Sequence, residues 1–432
     1  MSEGSIKWEN YLQVASLTDL GMRRTNNQDN FCSSLASNMD HWSRRGHLFI
    51  VADGMGAHAA GELASKIAVD HIPHLYGKYR DMPAPEGLRR AIVDANTEIH
   101  RRGQANEEFH HMGTTCSTLV ILPEGAFAAH VGDSRVYRLR GTRLEQLTFD
   151  HSLVWEMQAA GQLTGKDDLI KIPKNVITRS LGPYPEVNVD LEGPFPVEVG
   201  DTFLLCSDGL SGQMSDAEIG AVLAALPPNE AARVMVDIAN IRGGPDNSTV
   251  IIVRIQDAKL AHGTKPAANS SNSRSNKTHP LMWGLVGCAF ILAILFQVTT
   301  EKWMVSVIPA AIGIIALLVI LIAKSSASAG SSIPAGQRPR FGKGPHTQTE
   351  CATSGWDLVH KLKEIIEQIK QESKIREWKI DEKKLAELIA IGETAGTNKD
   401  LRGSIRHYSL ATSFLMEQIR NQAGGSGTSI DL

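Results

Sequence analysis

Apolar residues in the first 257 positions come as short runs separated by turn-forming residues. The runs at 47–52, 116–122, 126–131, 135–140, 202–206 and 249–255 are rich in β-branched and apolar side chains and bounded by Gly, Pro, Asn or Asp, which predicts strands. Stretches 61–72 and 86–104 predict helices. In the second, Leu88, Ile92, Ala95 and Ile99 recur at helical spacing. The pattern changes after residue 280. Positions 281–298 and 303–323 carry no charge, and only Thr299, Thr300, Glu301 and Lys302 separate them. Two apolar runs of about 18–21 residues match the hydrocarbon core of a bilayer, so a two-helix transmembrane hairpin is expected over 281–323. From 354 to 422 the period becomes helical again. Leu358, Leu362, Ile365, Ile366 and Ile369 form one stripe, Leu385, Leu388 and Ile389 a second, and Ile405, Tyr408, Leu415 and Ile419 a third. A small helical interaction or spacer module is expected at 351–422, before a disordered tail at 423–432.

Charge sharpens this division. The chain of 432 residues has a formal net charge of −3. That small number is a cancellation: residues 1–257 hold 23 Lys/Arg against 33 Asp/Glu, net −10, and residues 258–432 hold 21 against 14, net +7. The weak overall charge excludes a strongly basic nucleic-acid binder. Segments 258–280 and 324–350, rich in Ser, Asn, Ala, Gly and Pro, read as flexible basic linkers. Positive flanks stay cytoplasmic, so both polar parts are expected on the cytoplasmic side of the inner (plasma) membrane, with two spans. The first 30 residues hold no long apolar core, so no signal peptide is expected. Cys32, Cys116, Cys206, Cys288 and Cys351 are odd in number and far apart, which fits neither a disulfide framework nor a cysteine zinc site.

Candidate chemistry sits in aspartates at strand ends. Asp53 ends LFIVAD, Asp133 follows FAAHVG, Asp208 follows FLLCS, and Asp246 precedes NSTVIIV; Asp29 lies in TNNQDNF. An Asp-Gly after a strand is often a hairpin turn. Here Asp53-Gly54 leads toward a helix near residue 61, and Asp208-Gly209 leads to Ser215-Asp216-Ala217-Glu218, a helix-start pattern. Carboxylates converging at strand ends repel one another, and a divalent cation relieves that repulsion. An all-oxygen set suits Mg²⁺ or Mn²⁺ over Zn²⁺. Two such ions sharing a carboxylate and a water would supply a nucleophile for phosphate esters.

The segments TDLGMRRTNNQDNF, VADGMGAHAAGELAS, GTTCSTLVI, HVGDSRVYRLR, LTFDHSLV, ITRSLG, LLCSDGLSGQMSD and GGPDNSTVIIV follow one another in this order. In them residues 12–257 closely resemble the metal-dependent protein serine/threonine phosphatases of type 2C, the PPM family, in its bacterial form. The resemblance implies an α+β fold, a four-layer α-β-β-α sandwich of two antiparallel sheets flanked by helices, with the metal site at one end. It implies that Asp53 bridges two Mn²⁺ or Mg²⁺ ions, that the Gly54 carbonyl, Asp208 and Asp246 complete the pair, that Asp29 holds metal-bound waters, and that Asp133 binds a third, weaker ion. Arg24 matches the arginine that grips the substrate phosphate, a role suited to a planar fork. The stretch 151–179 matches the flap beside the site.

The implied function is hydrolysis of phosphoserine and phosphothreonine on proteins by a metal-bridged hydroxide, opposing Ser/Thr kinases from a membrane tether. Phosphorylated proteins, kinases or their substrates are the expected partners, with no nucleic acid. Cys206 is expected in the core. Gln28 stands where eukaryotic members usually carry Glu, Met55 where they carry a His proposed to protonate the leaving group, and Ala57 where Gly is usual. His58 is a candidate acid or a structural residue. The alternative reading is a catalytically weak phosphatase-like scaffold that recruits partners through its C-terminal helices.

Overall fold

A computed structural model of the chain describes residues 7–57, 59–162, 173, 176–260, 341–351 and 355–422. Two antiparallel sheets dominate it. In the first, strand order is β1 (Leu12–Asp19), β11 (Ser248–Ile255), β10 (Thr202–Cys206), β7 (Arg135–Arg140), β8 (Arg143–Gln146) and β12 (Thr347–Glu350). In the second it is β2 (Asp29–Ser34), β3 (His47–Met55), β5 (Cys116–Leu122), β6 (Gly125–Val131) and β9 (Asp190–Phe195), with the two-residue β4 (Gly113–Thr114) beside the end of β3. The expected sandwich of two antiparallel sheets with flanking helices is present.

The strands read as continuous apolar runs because both of their faces are buried. Phe49 and Val51 of β3 point between the sheets, where they join Phe203, Leu205, Ile251 and Val253. The alternate residues Leu48, Ile50 and Ala52 point outward against helices α2 (Ala60–Lys78) and α3 (Ala84–Ala105). On the other sheet, Leu204, Cys206, Val250 and Ile252 point outward, toward α6 (Asp216–Ala225) and α7 (Pro228–Ile241). Short helices α1 (Met39–Arg45), α4 (Leu153–Ala159) and α5 (Asp208–Ser211) connect strands. A capping box starts α6: the Ser215 N–H donates to Glu218 at 3.0 Å. Pro228 opens α7 at a position where no helical N–H is needed.

The C-terminal region differs from the expected arrangement. Part of the 324–350 linker is a strand: β12 pairs with β8 from Thr347↔Gln146 to Glu350↔Arg143. The open backbone edge of β8 is a template that any extended segment can occupy. Composition of TQTE carries no trace of it. Helices α8 (Gly355–Ile375), α9 (Glu382–Thr397) and α10 (Leu401–Gln422) lie in the same compact unit as the sandwich. Their stripes (Leu358, Leu362, Ile366, Leu385, Ile405, Tyr408, Leu415) share one buried cluster with Ile219, Val222, Met235 and Ile238. Lys361–Glu218 at 2.9 Å and Arg406–Glu230 at 2.6 Å add ion pairs across the contact. A Cβ at Gly220, inside α6, would lie 2.2 Å from Cys351 Sγ, so that helix position admits the end of β12 only as glycine. The expected membrane hairpin, 281–323, lies outside the described residues. Among the described residues no helix is long and apolar enough to cross a membrane.

Candidate functional site

The topology brings the sequence-selected aspartates together. Asp29 opens β2 and pairs in register with Asp53, near the end of the adjacent β3. Asp133 lies in the turn from β6 to β7, Asp208 starts α5 two residues after β10, and Asp246 lies two residues before β11. Asp53 feels the charges of the other four. Burial first, then the charges of Asp29, Asp208, Asp133 and Asp246, hold the Asp53 carboxyl well above the usual carboxylate range. Burial pushes Asp133 up to about 8, with Asp208 and Asp150 adding to the shift. Asp29 rises to about 7, again chiefly by burial, although hydroxyls of Ser207 and Thr249 bond to its charged form. Asp208 is raised by burial and by Asp246.

Two of these carboxylates have a buried oxygen with no hydrogen-bond donor, Asp133 Oδ1 and Asp208 Oδ1. Buried acceptors are satisfied in most folds, so such atoms point to a missing positive partner. The donor set is all oxygen, which fits a hard divalent cation. No three carboxylate, imidazole or thiolate groups close on a single point among the described residues. Mg²⁺-like ions need no such cage, because they are held through one or two carboxylates and keep several waters.

Arg24 stands at the rim, half-exposed, and donates from Nη2 to Asp246 Oδ2 at 2.7 Å. Its remaining guanidinium donors are free to meet a phosphate. Gly54 has no room for a side chain: a Cβ would lie 2.1 Å from the Gly61 carbonyl oxygen and 2.6 Å from that of Gln28. Glycine here lets the β3 backbone run close against the start of α2. Met55 ends β3 and pairs with Gly113. Gln28 has a bracing role, its carbonyl accepting from Gly54 N–H at 3.1 Å and its amide donating to the Gly56 carbonyl at 3.2 Å. His58 lies outside the described residues. Cys206 sits in the core with its thiol pushed up to about 12 by burial, which removes it as a nucleophile.

Several residues that hold the site went unselected in the sequence. The Asn247 side chain accepts from Gln28 N–H at 2.9 Å and donates to the Leu20 and Asn26 carbonyls, which pins the loop carrying Arg24. Ser207 Oγ donates to Asp29 Oδ2 at 2.7 Å. Thr115 Oγ1 accepts from the Asp53 N–H at 2.9 Å, and the Asp53 carbonyl accepts from the Thr115 N–H at 2.8 Å. Each stands in or beside a quoted motif, and that adjacency was the only available signal. A cleft of about 330 Å³, lined by Asp133, Arg135, Asp150, Ser152, Trp155 and Asp208 among others, opens beside the cluster.

The protein phosphatase 2C family model matches residues 23–232. Protein phosphatase PhpP of Streptococcus pneumoniae is 37% identical over 252 residues, which span 57% of this chain and 98% of that protein. The chain belongs to the protein phosphatase 2C family. Serine/threonine phosphatase stp of Listeria monocytogenes is 36% identical over 241 residues, 55% of this chain and 93% of that one. Among solved structures, the Mycobacterium tuberculosis serine/threonine phosphatase PstP/Ppp is 31% identical with a TM-score of 0.51, covering 57% of this chain and all of that one. The S. agalactiae serine/threonine phosphatase is 35% identical with a TM-score of 0.50. With these relatives, this 2C-type chain is a metal-dependent protein serine/threonine phosphatase. The family model ends at residue 232, ahead of β11, β12 and the three C-terminal helices.

Proposed function

We propose that the phosphatase acts on phosphoserine and phosphothreonine of proteins at the cluster of Asp29, Asp53, Asp133, Asp208 and Asp246, and that it does so tethered to a membrane with both polar parts cytoplasmic, opposing Ser/Thr kinases. One observation carries the assignment of the site: five aspartates converge at one end of the sandwich with two buried carboxylate oxygens unpartnered. Asp53 would share a pair of Mn²⁺ or Mg²⁺ ions with Asp208, Asp246 and the Gly54 carbonyl, Asp29 would orient waters around the pair, and Asp133 would take a third ion. When bound, the ions supply an acidified water and neutralise charge on the phosphate.

The chain's own residues do the rest. Arg24 binds and orients the phosphate with its spare donors, and releases part of its hold on Asp246 as it does so. Asn247 keeps the loop before Asp29 in place while Arg24 changes partners. Ser207 fixes the orientation of Asp29. The thiols of Cys206 and Cys116 are buried and both pushed up to about 12, so hydrolysis proceeds by direct attack of water with no phosphocysteine. Met55 offers no acidic proton, so the leaving serine or threonine oxygen takes its proton from water or from another donor, for which His58 is the candidate.

Tethering rests on the two uncharged runs at 281–298 and 303–323 and on their basic flanks. The test of activity is turnover of a phosphothreonine peptide by the full chain with Mn²⁺. No turnover by folded, metal-loaded protein would reject the function. Recovery of the full chain in the soluble fraction would reject the tether.

A further inference from the structure

Beyond the 2C-type site, an arginine of the C-terminal helix pairs with two aspartates that adjoin the loops flanking it. Arg420 of α10 lies 3.0 Å from Asp237 Oδ1 on α7 and 3.3 Å from Asp19 Oδ2 at the end of β1. Both aspartates are buried, Asp237 completely. The groups face one another as charges rather than as aligned hydrogen bonds. Asp237 has a second cation, Arg233 at 3.2 Å. Asp19 has Arg420 alone as its ion-pair partner among the described residues.

Asp19 does more than end a strand. Its Oδ1 accepts from the Gly21 N–H and from Asn240 Nδ2, both at 2.9 Å. Gly21 opens the loop that carries Arg24. Asn240 ends α7, where its carbonyl accepts from Gly243 N–H in the turn that carries Asp246. The loop and the turn also touch directly: Met22 N–H donates to the Gly244 carbonyl at 2.8 Å, and a Cβ at Gly21 would lie 2.3 Å from the Asp246 carbonyl oxygen. A contiguous path therefore runs from Arg420 by an ion pair to Asp19, and from Asp19 by hydrogen bonds to the backbone holding Arg24 and Asp246.

We propose that Arg420 is a positioning residue of the phosphatase, setting through Asp19 the loop of Arg24 and the turn of Asp246. The roles of Arg24 and Asp246 are those assigned under the proposed function, and the inference rests on that reading. Removing the guanidinium leaves Asp19 buried without a cation. Such a charge is strongly unfavourable and turns toward solvent. Gly21 and Asn240 move with it. The C-terminal helices, absent from the family-model match, thereby hold the substrate-binding loop.

The test compares Arg420→Ala with wild type in the full chain, by hydrogen–deuterium exchange and by kinetics at saturating Mn²⁺. The expected result is faster exchange in segments 20–24 and 243–247, with β3 and β5 unchanged. KM for a phosphothreonine peptide rises about 5-fold with kcat nearly constant, the size of effect that packed networks carry. Arg406→Ala serves as the control, because it breaks a C-terminal ion pair, with Glu230, at the far end of α7. It should change neither readout. Wild-type exchange in both segments of Arg420→Ala, or an equal effect of Arg406→Ala, would overturn the proposal. Should Arg420→Ala fail to fold, Arg420→Gln keeps most of the stem without the charge and is judged on the same two segments. A wild-type chain without turnover would reject the proposed function, and exchange would then decide the coupling alone.

Discussion

Two groups of aspartates, buried or half-buried, sit close to the loop of Arg24, and the fold treats them in opposite ways. Asp19 and Asp237 are neutralised from within, by Arg420 and Arg233. Asp53, Asp133 and Asp208 have no ion-pair partner among the described residues, and that, rather than an oxygen without a hydrogen-bond donor, which Asp237 also has, is what separates them. A buried carboxylate with an arginine is part of the architecture. A set of carboxylates left to repel one another is a place for a cation from outside. Burial alone does not separate structure from site; the source of the compensating charge does.

The largest effect expected from this contrast is on catalysis. Asp208→Asn keeps shape and removes charge, so the chain should fold while turnover of a phosphothreonine peptide with Mn²⁺ falls at least about 100-fold. Unchanged turnover would place the site elsewhere. The next effect lies in stability, measured by melting in chelator. Asp237→Asn should destabilise by about 1 kcal/mol, because Arg233 loses its carboxylate while Arg420 keeps Asp19, and the burial that holds the Asp237 carboxyl above the usual carboxylate range offsets part of the loss. Asp53→Asn should instead stabilise the metal-free chain by about 1 kcal/mol by relieving repulsion. The opposite signs are the sharpest form of the comparison, and equal signs would break it.

A third substitution asks whether the C-terminal helices are core or appendage. Leu362 of α8 is fully buried against the helices of the sandwich. Leu362→Ala should cost about 2–5 kcal/mol in a denaturant titration. The smallest effect is reserved for Lys361, whose side chain is half-exposed although it reaches Glu218. Lys361→Ala should change stability by less than about 1 kcal/mol.

Much of the sandwich was legible in the sequence, because strands with both faces buried give unbroken apolar runs and the candidate aspartates sit where those runs end. The strand expected at 47–52 is His47–Met55, and the helix expected at 61–72 continues to Lys78. Helix continuation past Ile72 was hidden by Pro73, which usually breaks a helix. The C-terminal contacts were not legible. Strand β12 is the polar segment TQTE, whose pairing depends on the backbone edge of a strand some 200 positions earlier. The helical stripes of α8–α10 showed that an apolar face needed a cover, but not that α6 and α7 supply it. Arg420 and Asp19 are likewise remote in sequence, as are Asn247 and the loop it pins. Long-range pairing of polar side chains leaves no periodicity to read.

Metal binding itself tests the central claim most directly. Metal-free full chain and its Asp53→Asn variant would be titrated with Mn²⁺ by calorimetry. The account predicts at least two ions per wild-type chain and loss of that binding in Asp53→Asn, with both proteins folded. Equal binding by the two would contradict the assignment of the uncompensated aspartates as the metal site.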